Sequence, residues 1–323
     1  MNKTKIEYLD YTFNPIAMRC TPVSPGCANC WHLRTADRLC RNPQIPFNEA
    51  MALEGAGPFV LRERELSSPL RAKKPAVIGV QFMGDLFHED VPGSFVQAAY
   101  TTMAKARQHT FLVLTKRAKR MADITTGMIE MGLTLREGYQ GGDLPNIWHG
   151  VTVCNQQEAD EKIPHLLKVP GRKWLSIEPM LGEIDLGHNG SDALPVFRYP
   201  DKDIPIYSQP SNRCVDSFKG GFWKKHDANM RPFVDAVILG GETGPGARPM
   251  HPDWVRSVRD QCVAAGVPFY LKQNGEWLPC FMVEDETKYK NQIIDGTIMC
   301  RVGSKFAGRL LDGREWNELP WGG

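Results

Sequence analysis

The chain has 323 residues, of which 42% are hydrophobic and 24% charged, an ordinary globular composition with enough apolar material for a large core. A formal net charge of +2 excludes a global basic signature of nucleic-acid binding and leaves only local patches for that role. No apolar run is long enough to span a membrane and the start, MNKTKIEYLD, is polar, so the expected location is cytoplasmic, with no membrane partner.

Taken in order, residues 6–19 read as extended or irregular, with a short first strand before a break at Pro15. The next stretch carries Cys20, Cys27 and Cys30, with Pro22, Pro25 and Gly26 keeping the first two apart in a loop. After Cys30, WHLRTADRLC has helical spacing of apolar residues. Residues 41–75 are mixed, broken by several prolines and glycines. A rhythm follows. AVIGVQF (76–82), TFLVLTK (110–116), NIWHGVTVCN (146–155), RKWLSIEPM (172–180), VDAVILGGE (234–242) and VPFYLKQ (267–273) read as strands. Helical patterns lie between them, with Ser94 as a candidate N-cap and Gly266 as a candidate C-cap. Residues 187–233 interrupt the rhythm with glycines, prolines and a Trp223-Lys224-Lys225 cluster; a loop of this length is usually functional or disordered. The tail after Trp277 reads as a mixed extension with a small strand pair.

Short apolar strands alternating with helices mean parallel βα units. The expected fold is therefore α/β, a partial (β/α) barrel of about six to seven βα units. Residues 1–277 would form the barrel, with the insertion 187–233 between its fifth and sixth strands, and residues 278–323 a C-terminal extension packed on it. A doubly wound open sheet is the alternative, although no G-x-G-x-x-G stands between a strand and a helix. In a parallel barrel the carboxyl ends of the strands share one mouth, where sites are built. That rule selects Gln81, Asp85 and His88 after the second strand, Thr115, Lys116 and Arg117 after the third, and Thr152 and Asn155 after the fourth. It selects Ser176 and Glu178 after the fifth, Gly240, Gly241 and Glu242 after the sixth, and Lys272 and Gln273 after the last. Asp85, Thr115 and Asn155 could equally be helix caps.

A loop that converges three thiols is first a metal loop. A structural zinc ion takes four ligands, and His32, Cys40 or a distant residue could complete such a set; the three could also be ordinary reduced thiols. A cubane iron–sulfur cluster held by three cysteines leaves one iron open. Cys154, Cys214, Cys262, Cys280 and Cys300 stand singly and read as buried or semi-buried thiols of a reducing compartment.

The string Asn14-Pro15, Cys20-Thr21, Ser24-Pro25-Gly26-Cys27, Asn29-Cys30-Trp31 resembles the cluster loop of the radical S-adenosylmethionine superfamily, in the phage-associated branch with C-x6-C-x2-C spacing. The superfamily's commonest spacing is C-x3-C-x2-C. The likeness extends through MGDLFHEDVP (83–92), LTKR (114–117), GGETGPGARPMHPDWVRSVRDQC (240–262) and AGRLLDGREWNELP (307–320). The resemblance implies a partial barrel with a [4Fe–4S] cluster on Cys20, Cys27 and Cys30, and S-adenosylmethionine chelating the open iron. Cofactor-binding candidates are Asp85 for the amino group, Lys116, Arg117 or Ser176 for the carboxylate, Asn155 or Glu178 for the ribose, and Gly240 and Gly241 beside the adenine. It also implies a 5′-deoxyadenosyl radical that abstracts hydrogen from the substrate, with electrons from a flavodoxin or ferredoxin. The catalytic residue acting on the substrate is unassigned.

The branch is linked to hypermodification of phage DNA. The expected function is isomerisation of an amino-acid-modified thymine in DNA, in the cytoplasm of the infected host cell if the chain is phage-encoded. Another nucleotide, a DNA lesion or a peptide is the alternative substrate. A non-catalytic zinc or iron–sulfur nucleic-acid-binding module is the alternative class. A DNA rim would draw on Arg62, Arg64, Arg71, Lys73, Lys74, Lys119, Arg120, Lys219, Lys224 and Lys225, with Trp223, Phe222 and Trp277 for stacking.

Overall fold

The structure, a computed structural model, describes residues 1–130, 144–186, 196 and 233–321. The insertion reading, with Trp223, Lys224 and Lys225, falls almost entirely outside the described residues.

The centre is an eight-stranded sheet in the order β1 (Asn2–Lys3), β2 (Tyr11–Phe13), β5 (Val77–Val80), β6 (Thr110–Thr115), β7 (Ile147–Thr152), β8 (Arg172–Ile177), β9 (Ala236–Gly240) and β10 (Phe269–Gln273). Only the β1–β2 pair is antiparallel; every pair from β2 to β10 is parallel. β3 (Ile16–Ala17) and β4 (Val60–Leu61) form a separate two-stranded ribbon. The parallel strands lie in sequence order, with no reversal. A doubly wound sheet needs such a reversal, so that alternative is set aside. Right-handed crossovers in one direction put the helices on one face, and the twisted sheet is compatible with a partial α/β barrel.

The two faces follow from the period of two. Phe111, Val113, Ile147, Val151, Leu175, Ile177, Val237, Leu239, Phe269 and Leu271 join the larger core. Their packing partners come from α5 (Gly93–Lys105), α6 (Ala118–Glu130), α7 (Gln156–Lys168) and α8 (Pro252–Ala265). The intervening Leu112, Trp148, Trp174, Ala236, Ile238 and Tyr270 form a second core with Tyr8, Leu9 and Trp321 on the opposite face. Trp321 stands edge-on to Trp148 at 4.7 Å and to Trp174 at 6.0 Å between ring centres. The Trp174 indole donates to the Val113 carbonyl at 3.2 Å. It fits only because position 150 is glycine: a Cβ there would lie 2.3 Å from Trp174 Cε2.

Several local expectations are corrected. Ser94 lies inside the first turn of α5; the cap position is Pro92, with no side-chain bond. Gly266 does end α8, in the left-handed conformation at φ 64°. The tail holds three strands rather than a pair: β11 (Trp277–Pro279), β12 (Asn291–Ile294) and β13 (Thr297–Arg301), in the order β11-β13-β12. Cys280 and Cys300 are not single thiols but a disulfide closing that sheet. Spacing could not pair them, because their meeting depends on the β11–β13 register, in which Leu278 faces Cys300.

Candidate functional site

Gln81, immediately beyond β5, has φ 53° and a fully buried side chain. Its amide accepts from the Ile16 backbone N–H and donates to the Ile16 carbonyl, both at 3.0 Å. This anchors the root of the cysteine loop beside the carboxyl end of β5. From there the loop arches over the strand ends. Cys27 ends a short 3-10 turn capped by the Ser24 hydroxyl, and Cys30 occupies the N-cap position of α1 (Trp31–Leu39).

A cavity of about 540 Å³ opens under the loop. It is lined by all three cysteines and by Asp85, Lys116, Arg117, Thr152, Ser176, Glu178, Gly241, Lys272 and Gln273 from the strand ends. Residues 4–6 and Tyr8 of the N-terminal segment line it as well, which strand-end reasoning did not anticipate. Phe82, Leu114 and Ile6 supply an apolar wall. Trp31 and Val23 project from the loop at the mouth, 43% and 45% exposed.

The side chains divide into those that hold the loop and those that face the cavity. Asp85 belongs to the first group. Its carboxylate accepts from the Thr115 hydroxyl at 2.7 and 2.9 Å, the Phe87 and Lys116 backbone N–H groups at 2.9 and 3.2 Å, and Arg117 Nη1 at 3.1 Å. So saturated, it has little capacity left for the ligand amino group that sequence reading gave it. Arg117 is equally engaged. Nε donates to Glu89 at 2.8 and 2.9 Å, Nη2 to the Thr21 carbonyl at 3.2 Å, and Nη1 reaches Cys20 Sγ at 3.7 Å. His88 Nε2 lies 2.9 Å from the Thr21 hydroxyl. Burial, with the nearby Asp85 carboxylate, pushes the Cys20 thiol up to about 11, against the opposing pull of Arg117.

Glu242 does the same work for the other half of the loop. Its carboxylate accepts from Arg248 Nη2 at 2.6 Å, Arg248 Nε at 2.8 Å and Asn29 Nδ2 at 3.0 Å. Burial alone would raise this carboxyl; the Arg248 guanidinium outweighs it and holds the group below the usual carboxylate range. On a third side, Cys154 Sγ lies 4.0 Å from the Ser24 hydroxyl, backed by the buried Glu158–Lys162 pair at 2.6 Å.

Lys116 lines the cavity, and its ammonium has no partner among the described residues. Glu178 accepts from Lys272 Nζ at 2.6 Å. Ser176 and Thr152 face the same space. Asn155 does not: it caps α7, accepting from the Glu158 N–H at 3.0 Å. Gly240 is not part of the lining. At Gly241 a Cβ would lie 2.6 Å from the Asn274 carbonyl, so this glycine makes room for the chain beyond β10. Trp277 is also unavailable for stacking, being buried with its indole donating to Ala247 O at 2.7 Å. Arg62 and Arg64 line a separate cavity beside Met1 and Asn14. Lys119 is paired with Asp123 at 2.8 Å, and Arg120 donates to the Val91 carbonyl at 2.7 Å.

Among the described residues, no three His, Cys, Asp or Glu side chains stand close enough to hold one metal ion as placed. His32 and Cys40 do not complete a zinc set. His32 Nε2 meets the Met18 carbonyl at 3.1 Å, and burial lowers its pKa to about 4. Cys40 Sγ donates to Asp37 O at 3.3 Å and is outside the cavity lining. Cys20, Cys27 and Cys30 nevertheless all line one cavity.

Comparison with solved structures returns a spore photoproduct lyase complexed with dinucleoside spore photoproduct, at 10% identity and a TM-score of 0.33, covering 93% of this chain and 70% of that chain. A likeness of this size carries no argument. No curated protein matches the chain. A family model described as "Protein of unknown function (DUF5131)" matches residues 3–320, and the chain belongs to that family.

Proposed function

We propose that this protein is a radical S-adenosylmethionine enzyme whose [4Fe–4S] cluster is held by Cys20, Cys27 and Cys30. One observation carries the reading: a single loop brings three thiols to one cavity at the carboxyl ends of a sequential parallel sheet, and strand-end polar residues line the rest. When bound, the cluster and S-adenosylmethionine supply one-electron cleavage of the sulfonium and a radical that abstracts hydrogen. The chain's own residues bind, orient and shield. Lys116, whose ammonium has no partner among the described residues, would meet the ligand carboxylate, with the Ser176 hydroxyl as a further donor. Glu178, steadied by Lys272, is the acceptor for ribose hydroxyls. Phe82, Leu114 and Ile6 give the adenine an apolar wall, and the Trp148–Trp174–Trp321 cluster closes the sheet's inner face below.

The substrate we propose is a modified base in DNA, an amino-acid-bearing thymine that is isomerised, with a flavodoxin or ferredoxin as electron donor. The sequence resemblance supports this. The exposed Trp31 at the mouth supports it physically, since an indole face beside a cavity can stack an extruded base. No helix among the described residues is long and apolar enough to cross a membrane.

The test is anaerobic incubation with reductant and S-adenosylmethionine, with and without modified phage DNA, followed by mass spectrometry. We expect 5′-deoxyadenosine without DNA, and a rearranged nucleoside of unchanged mass with it. No cofactor cleavage under either condition would reject the enzyme reading. Cleavage with no change in the DNA would redirect the substrate.

A further inference from the structure

The six residues between Cys20 and Cys27 include Pro22 and Pro25, and no regular element spans them. A segment of this kind transmits little rigidity from one cysteine to the next. Besides the Cys154–Ser24 contact, the loop is gripped by charge-assisted bonds at two separated places, each around one buried carboxylate. At the first, Asp85 holds Arg117, and Arg117 reaches Cys20 Sγ and the Thr21 carbonyl. At the second, Glu242 holds Asn29, which lies between Cys27 and Cys30, and Arg248, whose Nη2 donates to the Pro25 carbonyl at 3.0 Å. Asn29 Nδ2 also donates to Gly246 O at 2.8 Å. Arg34 then ties the Asn29 carbonyl to the Thr243 carbonyl, at 3.0 and 3.1 Å. The loop after β9 thus closes over the Cys27–Cys30 turn as a second jaw. No hydrogen bond or ion pair between the two grips is found among the described residues.

We propose that Glu242 is the positioning residue for Cys27 and Cys30, independent of the Asp85–Arg117 grip on Cys20. This rests on the cluster reading above and goes beyond it: Glu242 lines the cavity, but its carboxylate oxygens are taken up by Asn29 and Arg248, through which it acts on the turn. The cation and the amide are held by a carboxylate 5% exposed, where charge-assisted bonds are strong and their loss is felt. Glu242→Gln can still accept from Asn29 but forfeits the charge pairing with Arg248. Glu242→Ala forfeits both.

The test needs no metal. Metal-free, reduced protein is treated with iodoacetamide, and alkylation of each cysteine is followed by peptide mass spectrometry. Cys27 is buried, so its rate reports opening of the turn. Losing a charge-assisted bond should raise the Cys27 rate about tenfold in Glu242→Ala, less in Glu242→Gln, and leave Cys20 unchanged. Asn29→Ala should reproduce the effect on its own. Arg117→Lys should do the reverse, raising Cys20 and sparing Cys27. Unchanged Cys27 rates in all Glu242 and Asn29 variants would overturn the proposal. So would equal acceleration of all three cysteines, which would mean general loosening. If Glu242→Ala does not fold, Glu242→Gln and Asn29→Ala decide. Iron uptake by the wild-type chain is scored separately: failure there counts against the cluster reading, whereas the alkylation pattern judges the two grips.

Discussion

Gly150→Ala should be costly, although it adds a single methyl group. The new Cβ would lie 2.3 Å from Trp174 Cε2, 2.4 Å from Nε1 and 2.8 Å from Cδ2. The indole cannot simply rotate away. Its N–H donates to Val113 O at 3.2 Å, Trp321 stands edge-on at 6.0 Å, and Phe82 stacks at 6.5 Å. Overpacking of a core costs about 1–3 kcal/mol, and a broken buried hydrogen bond adds about 1 kcal/mol. The sum is about 2–4 kcal/mol. At roughly 2 °C per kcal/mol for a chain this large, the melting temperature should fall by about 4–8 °C. The assay is thermal unfolding followed by tryptophan fluorescence, which reads the affected cluster directly. Gly127→Ala is the control, with nothing within 4 Å of its Cβ in α6; it should be neutral or stabilise by up to about 1 kcal/mol. A Gly150→Ala melting temperature within one degree of wild type would refute the claim that this inner core is fixed by the Trp174–Gly150 contact.

The Cys280–Cys300 disulfide closes a separation of 20 residues, so its removal in Cys280→Ser/Cys300→Ser should cost about 3 kcal/mol, read by denaturant unfolding, while leaving iron uptake intact. His149 stacks on Tyr100, and burial, then the Lys173 charge, lowers its pKa from 6.5 to about 3. The unfolded chain therefore takes up a proton here that the folded chain refuses. Stability from this group is full above about pH 6.5 and declines as pH falls towards 3; His149→Phe should flatten that part of the stability–pH profile. Lys116→Met should weaken S-adenosylmethionine binding about tenfold by equilibrium dialysis, if one charge-assisted bond is lost, with little change in melting temperature because the ammonium has no internal partner among the described residues.

Much of the architecture is legible in the sequence because each parallel strand is a short apolar run closed by polar residues, and period two assigns its faces. The cavity lining is legible for the same reason: strand ends of a parallel sheet converge, and Lys116, Ser176 and Glu178 meet the cysteines there. What the sequence withholds is which polar groups are already spent. Asp85 and Arg117 look like ligand groups until their mutual bonds are seen. Asn155 reads equally as a cap or a contact, and only its bond to Glu158 decides. Glu242 stands out after a strand, but its partner Asn29 is 213 residues away, a separation that no local pattern bridges. The same holds for Cys280 and Cys300, and for Trp321, whose place among the inner tryptophans depends on the path of the tail.

The most direct measurement is iron and acid-labile sulfide per chain after anaerobic reconstitution, in the wild type and in four single variants. The account predicts about four of each in the wild type, loss in Cys20→Ala, Cys27→Ala and Cys30→Ala, and retention in Cys40→Ala, whose thiol lies outside the cavity lining. Stoichiometric zinc without sulfide, or metal lost with Cys40→Ala and kept with Cys20→Ala, would contradict it.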